Sequence, residues 1–314
     1  MTNPSVSIVI EAGSSPDFHE QLNIVSTIES LLQQKYGGGS LELIISSFGW
    51  PEEAKETIRR RFPTVCILSN SSGGYYRLKN AGVRAATGDI IAFADADCRY
   101  DSDWVEQFVG TIQRGADVSV GFTVLDGRSL LHRLCGYYDL NTMLLRTAGI
   151  VRRFNSNNVA FRADLIHQNK YDEKFDRSGG CVQLAERLLR NNVAMVFNQH
   201  QSAVHRYYGF SRHSWVQAFC CGYDVFHTRA VDPKMPLASV VRLRWVAPPI
   251  LAGIFVTADL WNFVQNRSLL RIRWYGHPMF ILFSFAVRVL EIIGMYWTLL
   301  HPKSIAAFEV EHFA

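Results

Sequence analysis

Asp89-Ile90-Ile91-Ala92-Phe93-Ala94-Asp95-Ala96-Asp97 is an apolar run that ends in two carboxylates separated by one residue. The run predicts a buried strand. Side chains alternate along a strand, so we expect Asp95 and Asp97 on the same side, and they converge as well if the strand frays there. Ligands of open α/β sheets bind beyond the carboxyl ends of the strands. Two carboxylates there suit Mg2+ or Mn2+, whereas a polar strand end or a helix cap is the simpler interpretation.

Strands and helices are predicted in alternation on both sides of this run. Before it, strands are expected at 6–10, 41–46 and 65–69, with helices starting at 15–17, 51 and 75. After it, helices are expected at 101–114, 130–150 and 181–192, with strands at 118–123, 159–161 and 193–197. This order predicts an α/β fold, in which a mostly parallel nucleotide-binding sheet carries helices on both faces.

Composition limits the class of protein. The 314 residues are 48% hydrophobic and 12% aromatic, which is typical of a globular chain, and a net charge of +4 is too small to indicate nucleic-acid binding. The six cysteines show neither metal-type pairs nor a disulfide framework, which favours a reducing compartment. The first seven residues lack the basic and apolar regions of a signal peptide, so none is expected.

The last third of the sequence is different in character. Residues 245–258 are uncharged and apolar, and residues 278–300 are nearly so. Each run, with its flanks, approaches the ~20 residues that span a bilayer. Asp259 follows the first run, and Arg288 and Glu291 lie three residues apart in the second, where they are predicted to pair on one helix face.

Basic and aromatic residues flank these two apolar runs. The arginines are Arg242, Arg244, Arg267, Arg271 and Arg273, and the tryptophans are Trp245, Trp261, Trp274 and Trp297. A two-helix hairpin cannot place both basic clusters in the cytoplasm, so the positive-inside rule disfavours simple spanning. Helices lying in the plane of an anionic leaflet would bring every arginine to the headgroups. We therefore predict a domain at 1–207 and a membrane-associating helical region at 208–314, with spanning helices or a soluble helical subdomain as alternatives.

Three segments that lead up to and include the aspartate pair resemble a known family. They are Arg77-Leu78-Lys79-Asn80-Ala81-Gly82, Ala85-Ala86-Thr87-Gly88-Asp89 and Phe93-Ala94-Asp95-Ala96-Asp97. With the first strand and Asn157-Asn158-Val159-Ala160-Phe161-Arg162, they are similar to family 2 glycosyltransferases of the GT-A fold, over residues 5–207. The resemblance implies an inverting enzyme that moves a sugar from a UDP- or GDP-sugar to a lipid-linked or polysaccharide acceptor. It also implies a place on the cytoplasmic face of a membrane.

The resemblance assigns roles to residues of the donor site. Asp97 would bind Mn2+ or Mg2+, Asp95 would contact the ribose or the metal, and His205 would be a third ligand. A divalent ion on the donor diphosphate offsets the charge that develops as the sugar departs. Residues expected at the nucleotide are Glu11, Ser46, Ser47, Arg77, Lys79 and Asn80. Ser47 replaces an aspartate usual there, which leaves the base open, and Arg77 and Lys79 either hold the diphosphate or solvate a helix face.

The acceptor half departs from the family. An inverting transferase needs a general base, which the family usually supplies from a Glu-Asp pair. This sequence has Gly180-Cys181 there, and a thiol is a poor match even though a helix N-terminus lowers its pKa. Asp176 and Glu186 are the nearby candidates. Either the base has moved, or the acceptor is already acidic, or the chain is a silent subunit that only binds the sugar nucleotide.

One further enzyme class shares this kind of sheet and metal. A sugar-phosphate nucleotidyltransferase would need a glycine-rich, basic loop after the first strand. Ala12-Gly13-Ser14-Ser15 carries neither arginine nor lysine, so this alternative ranks lower. The donor sugar, the acceptor, the linkage and any homo-oligomer are left open by the sequence.

Overall fold

The computed structural model describes residues 3–13, 18–127, 129–141, 149–173, 179–206, 212–266 and 272–301. The chain divides into two compact units. The first consists of Met1–Asp126 with Met143–Arg206, and the second of Gly127–Thr142 with Tyr207–Ala314. Residues 127–142 thus join the helical unit although they precede most of it in the chain.

The first unit is built on one eight-stranded sheet. Its strands are β1 (Val6–Ala12), β2 (Leu41–Ser47), β3 (Cys66–Ser69), β4 (Ile90–Asp95), β5 (Cys98–Tyr100), β6 (Val118–Leu125), β7 (Asn158–Arg162) and β8 (Met195–His205). Their order is β3-β2-β1-β4-β7-β6-β8-β5. The pairs β1–β2, β1–β4, β2–β3 and β6–β8 are parallel, and β4–β7, β6–β7 and β5–β8 are antiparallel. The predicted mostly parallel α/β sheet is confirmed.

Helices surround the sheet in the first unit and are the regular elements of the second unit among the residues that the structure describes. In chain order they are α1 (Phe18–Leu32), α2 (Glu52–Arg61), α3 (Tyr75–Ala85), α4 (Trp104–Gln113), α5 (Leu130–Gly136), α6 (Ala163–Gln168), α7 (Gly179–Arg190), α8 (Arg212–Val231), α9 (Ala238–Val241), α10 (Ala247–Asn266) and α11 (His277–Leu300). The acidic start and basic end of α2 complement its macrodipole, as the sequence indicates.

The core of the first unit explains why its central strands are so apolar. β1 is buried along its whole length, and β4 is buried as far as Ala94. A strand covered by helices on both faces has no solvent side, so it reads as a continuous apolar run rather than an alternating one. The Thr27 hydroxyl of α1 anchors the turn after β4. It donates to the carbonyls of Ala96 and Cys98 at 2.8 and 2.7 Å. The end of β4 is therefore rigid.

Two sequence expectations about element ends are corrected. The helix expected at 130–150 does not reach its end, because Ile150 forms an antiparallel bridge with Val196; a π-helical turn at Tyr137–Asn141 follows α5. The last strand, expected at 193–197, continues to His205 as β8. A register shift between Gly121 and Phe122 of β6 lets β8 continue past its polar middle.

The second unit contains an antiparallel helical hairpin. Phe263 of α10 stacks on Phe280 of α11 at 4.0 Å between ring centroids. Further along, the Asp259 carboxylate accepts from Arg288 at 2.7 Å. Trp245, just before α10, stacks on Tyr296 near the other end of α11. These three contacts give the two helices opposite directions.

This hairpin has polar groups inside and apolar groups outside. Arg288 binds both Asp259 and Glu291, which confirms the predicted pairing of Arg288 with Glu291, and all three side chains are buried. Eleven large apolar side chains are exposed on α10 and α11: Ile250, Ile254, Trp261, Val264, Met279, Ile281, Leu282, Phe285, Val289, Ile293 and Leu300. We call these eleven residues the apolar face. Segments 244–265 and 274–300 are each long and apolar enough to cross a membrane.

Three of the four tryptophans expected at an interface are exposed. Trp245, Trp261 and Trp274 are more than half exposed. Trp297 is half-buried, lies edge-on to Phe219 and stacks on His301 at 4.1 Å, and its place at an interface stays a prediction. Of the basic cluster in the connecting loop, Arg267 and Arg271 lie outside the described residues.

Candidate donor and metal site

The candidate site lies where three parallel strands end side by side. Glu11 of β1 is the register partner of Ser46 in β2 and of Asp95 in β4. Glu11, Ser46 and Ser47 are buried. The Ser47 hydroxyl donates to the Leu68 carbonyl at 3.1 Å. The geometry thus brings the predicted nucleoside-side residues together, and their contact with a base remains a prediction.

Asp95 is held by its neighbours in one orientation. The Lys79 ammonium donates to its Oδ1 at 2.7 Å, and the Tyr75 hydroxyl lies 3.0 and 2.9 Å from its two oxygens. Its backbone N–H donates to the Tyr100 hydroxyl at 3.1 Å. Tyr75 also lies 3.0 Å from the Ser156 hydroxyl. A carboxylate fixed in this way presents a preorganised oxygen to a ligand and resists reorientation.

Lys79 does not solvate a helix face, and that expectation is wrong. Its side chain has 0% exposure. The ammonium group donates to Asp95, to the Ser156 carbonyl at 3.0 Å and to the Ala94 carbonyl at 3.4 Å. An ammonium has three N–H donors, so these three acceptors use all of them. A direct contact with the donor diphosphate would require Lys79 to leave Asp95.

Asn80 and Arg77 lie at the edge of the same helix. The Asn80 amide donates to the Tyr171 carbonyl at 2.9 Å and accepts from the Tyr171 N–H at 3.0 Å, so this buried residue fixes a loop and does not face the donor as expected. Arg77 is 43% exposed and lies 3.3 Å from Glu173. Arg77 alone of the pair expected at the diphosphate therefore reaches solvent.

Asp97 and His205 are brought together by strand pairing. Cys98 of β5 lies opposite His205 of β8, and the Arg206 N–H donates to the Asp97 carbonyl at 3.0 Å. The His205 Nε2 is 3.5 Å from Asp97 Oδ2, and the Cys98 thiol donates to Asp97 Oδ1 at 3.8 Å. Ligand atoms of all three residues lie within 4.8 Å of one another. This donor set fits a divalent metal ion, the group that the family resemblance implies.

The charges around Asp97 favour a bound cation. Burial raises the pKa of the Asp97 carboxyl, the His205 charge opposes that rise, and the Asp95 charge adds to it. Burial also raises the pKa of the Cys98 thiol well above its ordinary value, and the charges of Asp97 and Asp95 raise it further. Two carboxylates close to one thiol repel additional negative charge, and a divalent ion relieves this repulsion.

The tautomer of His205 follows from its second contact. Its Nδ1 lies 2.8 Å from the Arg206 carbonyl oxygen, which only accepts hydrogen bonds. Nδ1 therefore carries the proton, and in the neutral ring Nε2 keeps a lone pair directed toward the Asp97 carboxylate. Two facing acceptors require a proton or a cation between them. Metal-binding histidines are commonly oriented by this kind of Nδ1–H to carbonyl bond.

The three candidates for a general base have different outcomes. Cys181 is buried at the start of α7, where burial raises the pKa of its thiol more than hydrogen bonds from Tyr76 and the helix backbone lower it, and its N–H donates to the Tyr76 hydroxyl at 3.0 Å. Glu186 forms a close ion pair with Arg153, and both side chains are mostly buried. Asp176 lies outside the described residues. Neither described candidate is a suitable base.

Four residues of the site were missed by the sequence reasoning: Tyr75, Cys98, Tyr100 and Ser156. Cys98 directly follows Asp97, which was a usable signal. Tyr75 and Tyr100 contact Asp95 directly, and Ser156, from a separate segment, contacts Tyr75 and Lys79. The Tyr100 hydroxyl also donates to the Asn157 carbonyl at 2.8 Å. Asn158 is likewise buried, and its amide oxygen accepts from the Trp104 indole at 2.7 Å. The 157–162 segment thus contributes scaffold contacts as well as strand pairing.

The sequence is similar to glycosyltransferases. The sequence model of glycosyl transferase family 2 matches residues 16–139. The glycosyltransferase AglE of Haloferax volcanii is 27% identical over 207 residues, covering 62% of this chain and 65% of AglE, which is just under two thirds of that relative. The glucosyl-dolichyl phosphate glucuronosyltransferase of the same organism is 26% identical over 275 residues, covering 79% of this chain and 84% of the relative.

Solved structures share the fold at low identity. The mannosyltransferase PcManGT from Pyrobaculum calidifontis, in complex with GDP-Man and Mn2+, aligns with a TM-score of 0.60 and 15% identity, covering 95% of this chain and 88% of that one. S. aureus TarS 1–349, in complex with UDP-GlcNAc, aligns with a TM-score of 0.56 and 14% identity, covering 95% and 91%. Both are glycosyltransferase-type folds, and the predicted GT-A-like architecture is confirmed.

Proposed function

We propose that this chain is a family 2 glycosyltransferase that transfers a sugar, with inversion, from a UDP- or GDP-linked donor to a lipid-linked or polysaccharide acceptor, a proposal that the matching family model and the similar glycosyltransferases support. The observation that carries the proposal is the position of Asp97 and His205 beside Asp95. Their ligand atoms converge where β4 ends, which is the edge at which sheets of this class bind ligands.

The residues of the donor site have separate tasks in this proposal. Asp97 and His205 hold Mn2+ or Mg2+, and the ion offsets the charge of the departing nucleoside diphosphate. Asp95 presents an oxygen toward the ribose or the ion, in the orientation that Lys79 and Tyr75 fix. Glu11 and Ser47 lie toward the nucleoside base. Arg77, an exposed cation of α3, is available to the diphosphate once it separates from Glu173.

The proposed test of activity compares Asp97→Asn with Asp164→Asn. Asp164 is an exposed carboxylate that pairs with Arg162 and serves as the matched control. Purified protein is incubated with Mn2+ and a panel of nucleotide sugars, and release of UDP or GDP is measured. We expect at least one donor to be turned over, and Asp97→Asn to lower that rate ~100-fold or more. Full activity of Asp97→Asn would overturn the metal assignment.

The acceptor half supports a second candidate function. Cys181 is a buried, protonated thiol and Glu186 is paired with Arg153, so neither described candidate supplies the base that an inverting transferase needs. A subunit that binds a sugar nucleotide without turnover is consistent with this arrangement. Calorimetry distinguishes the two functions: tight UDP or GDP binding, with no turnover on any acceptor extract, would favour the silent subunit. Loss of activity in Asp176→Asn would identify the displaced base.

We also propose that the second unit attaches the chain to the cytoplasmic face of a membrane. Its apolar face covers α11 from Met279 to Leu300, about 32 Å at 1.5 Å per residue, while Asp259, Arg288 and Glu291 are buried inside the hairpin. A relative is named for action on glucosyl-dolichyl phosphate, which agrees with a lipid-linked acceptor. Arg242, Arg244 and Arg273 are exposed at the two ends of the hairpin, an arrangement that favours helices lying in the leaflet plane.

Vesicle flotation tests this attachment. The chain should float with vesicles that contain anionic lipid. The double variant Leu282→Asp and Phe285→Asp should abolish flotation, whereas the control double variant Glu56→Gln and Glu106→Gln should still float. Labelling of single cysteines placed at Trp245 and Trp274 then separates the two membrane arrangements. Labels accessible from one side indicate in-plane or hairpin insertion from that side, and labels confined to opposite sides would indicate single crossings. A wild-type chain that stays soluble would refute the attachment.

A further inference from the structure

Cys98 gives the candidate metal site a third ligand of a different chemical kind. Its thiol is 3.8 Å from Asp97 Oδ1, while His205 Nε2 is 3.5 Å from the other oxygen, Oδ2. Asp97 therefore lies between a sulfur and an imidazole nitrogen. Magnesium and manganese prefer oxygen ligands, and sulfur favours softer ions such as Zn2+. The sequence reasoning assigned no role to Cys98.

One ligand atom from each of the three side chains lies within 4.8 Å of the other two, so a single ion can be reached by all three. Ligand atoms around a tetrahedral Zn2+ with Zn–S near 2.3 Å, Zn–N near 2.0 Å and Zn–O near 2.1 Å are about 3.4–3.6 Å apart. In the structure the sulfur and the nitrogen face different oxygens of Asp97, at 3.8 and 3.5 Å, so the side chains must turn toward one shared ion when it binds. Three protein ligands leave one tetrahedral position open, as in catalytic zinc sites.

The scaffold around the three ligands is already fixed before an ion binds. Cys98 and His205 are register partners in the β5–β8 pair. The backbone on either side of Asp97 is bonded, through the Thr27 hydroxyl to Ala96 and Cys98 and through the Arg206 N–H to Asp97 itself. The Nδ1 contact with the Arg206 carbonyl orients the His205 ring. Binding therefore requires little rearrangement of the backbone.

We propose that Asp97, Cys98 and His205 form a site for a thiophilic divalent ion, such as Zn2+, which competes with the Mn2+ or Mg2+ of the donor. The inference rests on the proposed function for the identity of the competing ion. When Zn2+ binds, the Cys98 thiol releases its proton to solvent and sulfur becomes a ligand. Zinc held by three protein ligands leaves fewer positions for diphosphate oxygens than an octahedral ion has, so it inhibits transfer.

The test uses Co2+ as a spectroscopic probe on the full chain. A thiolate bound to Co2+ gives a near-ultraviolet charge-transfer band, so wild-type protein should show this band and Zn2+ should abolish it by displacement. Cys98→Ser should lack the band. Cys135→Ser removes another buried thiol, outside the candidate site, and should keep the band. Absence of the band in wild type, or its persistence in Cys98→Ser, would overturn the proposal.

Binding constants provide a second measurement. Zinc binds most nitrogen and oxygen sites more tightly than Mn2+ in any case, so the informative quantity is the change on removing sulfur. Cys98→Ser should weaken Zn2+ binding ~10-fold or more and Mn2+ binding less than ~3-fold, because sulfur is a poor ligand for Mn2+. Equal weakening of both ions would refute a sulfur-specific site. If Cys98→Ser does not fold, His205→Gln, at a partly exposed side chain, must weaken Co2+ binding and alter the wild-type band.

The two proposals fail in distinguishable ways. Mn2+-dependent transfer without a cobalt–thiolate band would leave the glycosyltransferase function intact and remove only the role of Cys98. A band lost in Cys98→Ser, without turnover of any donor, would establish the thiophilic site and contradict the proposed enzyme. With both present, Zn2+ should inhibit transfer, added Mn2+ should relieve the inhibition, and Cys98→Ser should be less sensitive to Zn2+.

Discussion

Replacing Lys79 with methionine should destabilise the first unit more than any other single charge removal on α3. Lys79 is fully buried, and its ammonium lies 2.7 Å from Asp95 Oδ1. Methionine keeps most of the length and apolar volume of lysine, so the substitution removes the charge and its three hydrogen bonds while leaving little cavity. It leaves Asp95, 15% exposed, with Tyr75 as its remaining side-chain donor.

The expected magnitude follows from the burial of this pair. Removing one partner of a buried ion pair costs about 3–5 kcal/mol, because the remaining charge is desolvated and uncompensated. In a domain of this size that cost lowers the midpoint of thermal unfolding by ~6–20 °C. Arg77→Met is the matched control, since it removes the same charge two residues away. Arg77 is 43% exposed and its pair with Glu173 is worth about 1 kcal/mol or less.

The assay is chemical denaturation of the purified chain, followed by fluorescence of the buried Trp104. Lys79→Met should lower the free energy of unfolding by about 3–5 kcal/mol and Arg77→Met by about 1 kcal/mol or less. The double variant Lys79→Met with Asp95→Asn should recover part of the loss, because it leaves no buried charge unpaired. Equal effects at positions 79 and 77, or strict additivity in the double variant, would refute the argument.

Three further predictions concern buried groups. Because burial raises the pKa of the Cys181 thiol, iodoacetamide at pH 8 should alkylate the exposed Cys66 well before Cys181, measured by peptide mass spectrometry; fast labelling of Cys181 would make it a candidate base again. Asn80→Ala should lower the free energy of unfolding by about 1–3 kcal/mol, because it removes the side-chain hydrogen bonds to the Tyr171 N–H and carbonyl. An effect no larger than that of Asn169→Ala would contradict this. Arg288→Met should cost about 3–5 kcal/mol by thermal unfolding in detergent, since it leaves two buried carboxylates unpaired, whereas exposed Arg242→Met should be nearly neutral.

The parts of the fold that could be predicted are those with a local signal. Continuous apolar runs bounded by helical segments predicted β1, β2 and β4. A strand that is buried on both faces is apolar throughout, so its own sequence identifies it without knowledge of the neighbouring strands. The pairing of Arg288 with Glu291 was equally local, since their spacing fixes them on one face of α11. The resemblance located Asp95 and Asp97, and the structure adds the contacts that orient them.

The rest depended on long-range pairing. His205 reaches Asp97 because β8 continues eight residues beyond the predicted end at residue 197, through polar residues that do not read as a strand. The continuation needs the register shift at Gly121 and Phe122 of the neighbouring strand. The same limit applies to Lys79 and Asn80. Their motif indicated a ligand site, but both side chains are buried and hold other parts of the backbone. Lys79 donates to the Ser156 carbonyl and Asn80 donates to the Tyr171 carbonyl, both far away in the sequence.

The segment predicted to face the acceptor differs from the family pattern in its packing as well as in its missing carboxylate. A Cβ atom at Gly180 would lie 2.5 Å from the Tyr76 ring, so the glutamate of the family's usual Glu-Asp pair cannot occupy this position unless Tyr76 moves. Tyr76 in turn stacks on Tyr171 at 4.7 Å, and Asn80 holds the backbone of Tyr171. The glycine at position 180 is therefore coupled to the aromatic packing behind it. Cys181→Asp alone would bury a carboxylate beside Tyr76, so it should destabilise the chain without restoring a base, whereas combining it with a smaller side chain at Tyr76 tests the coupling directly.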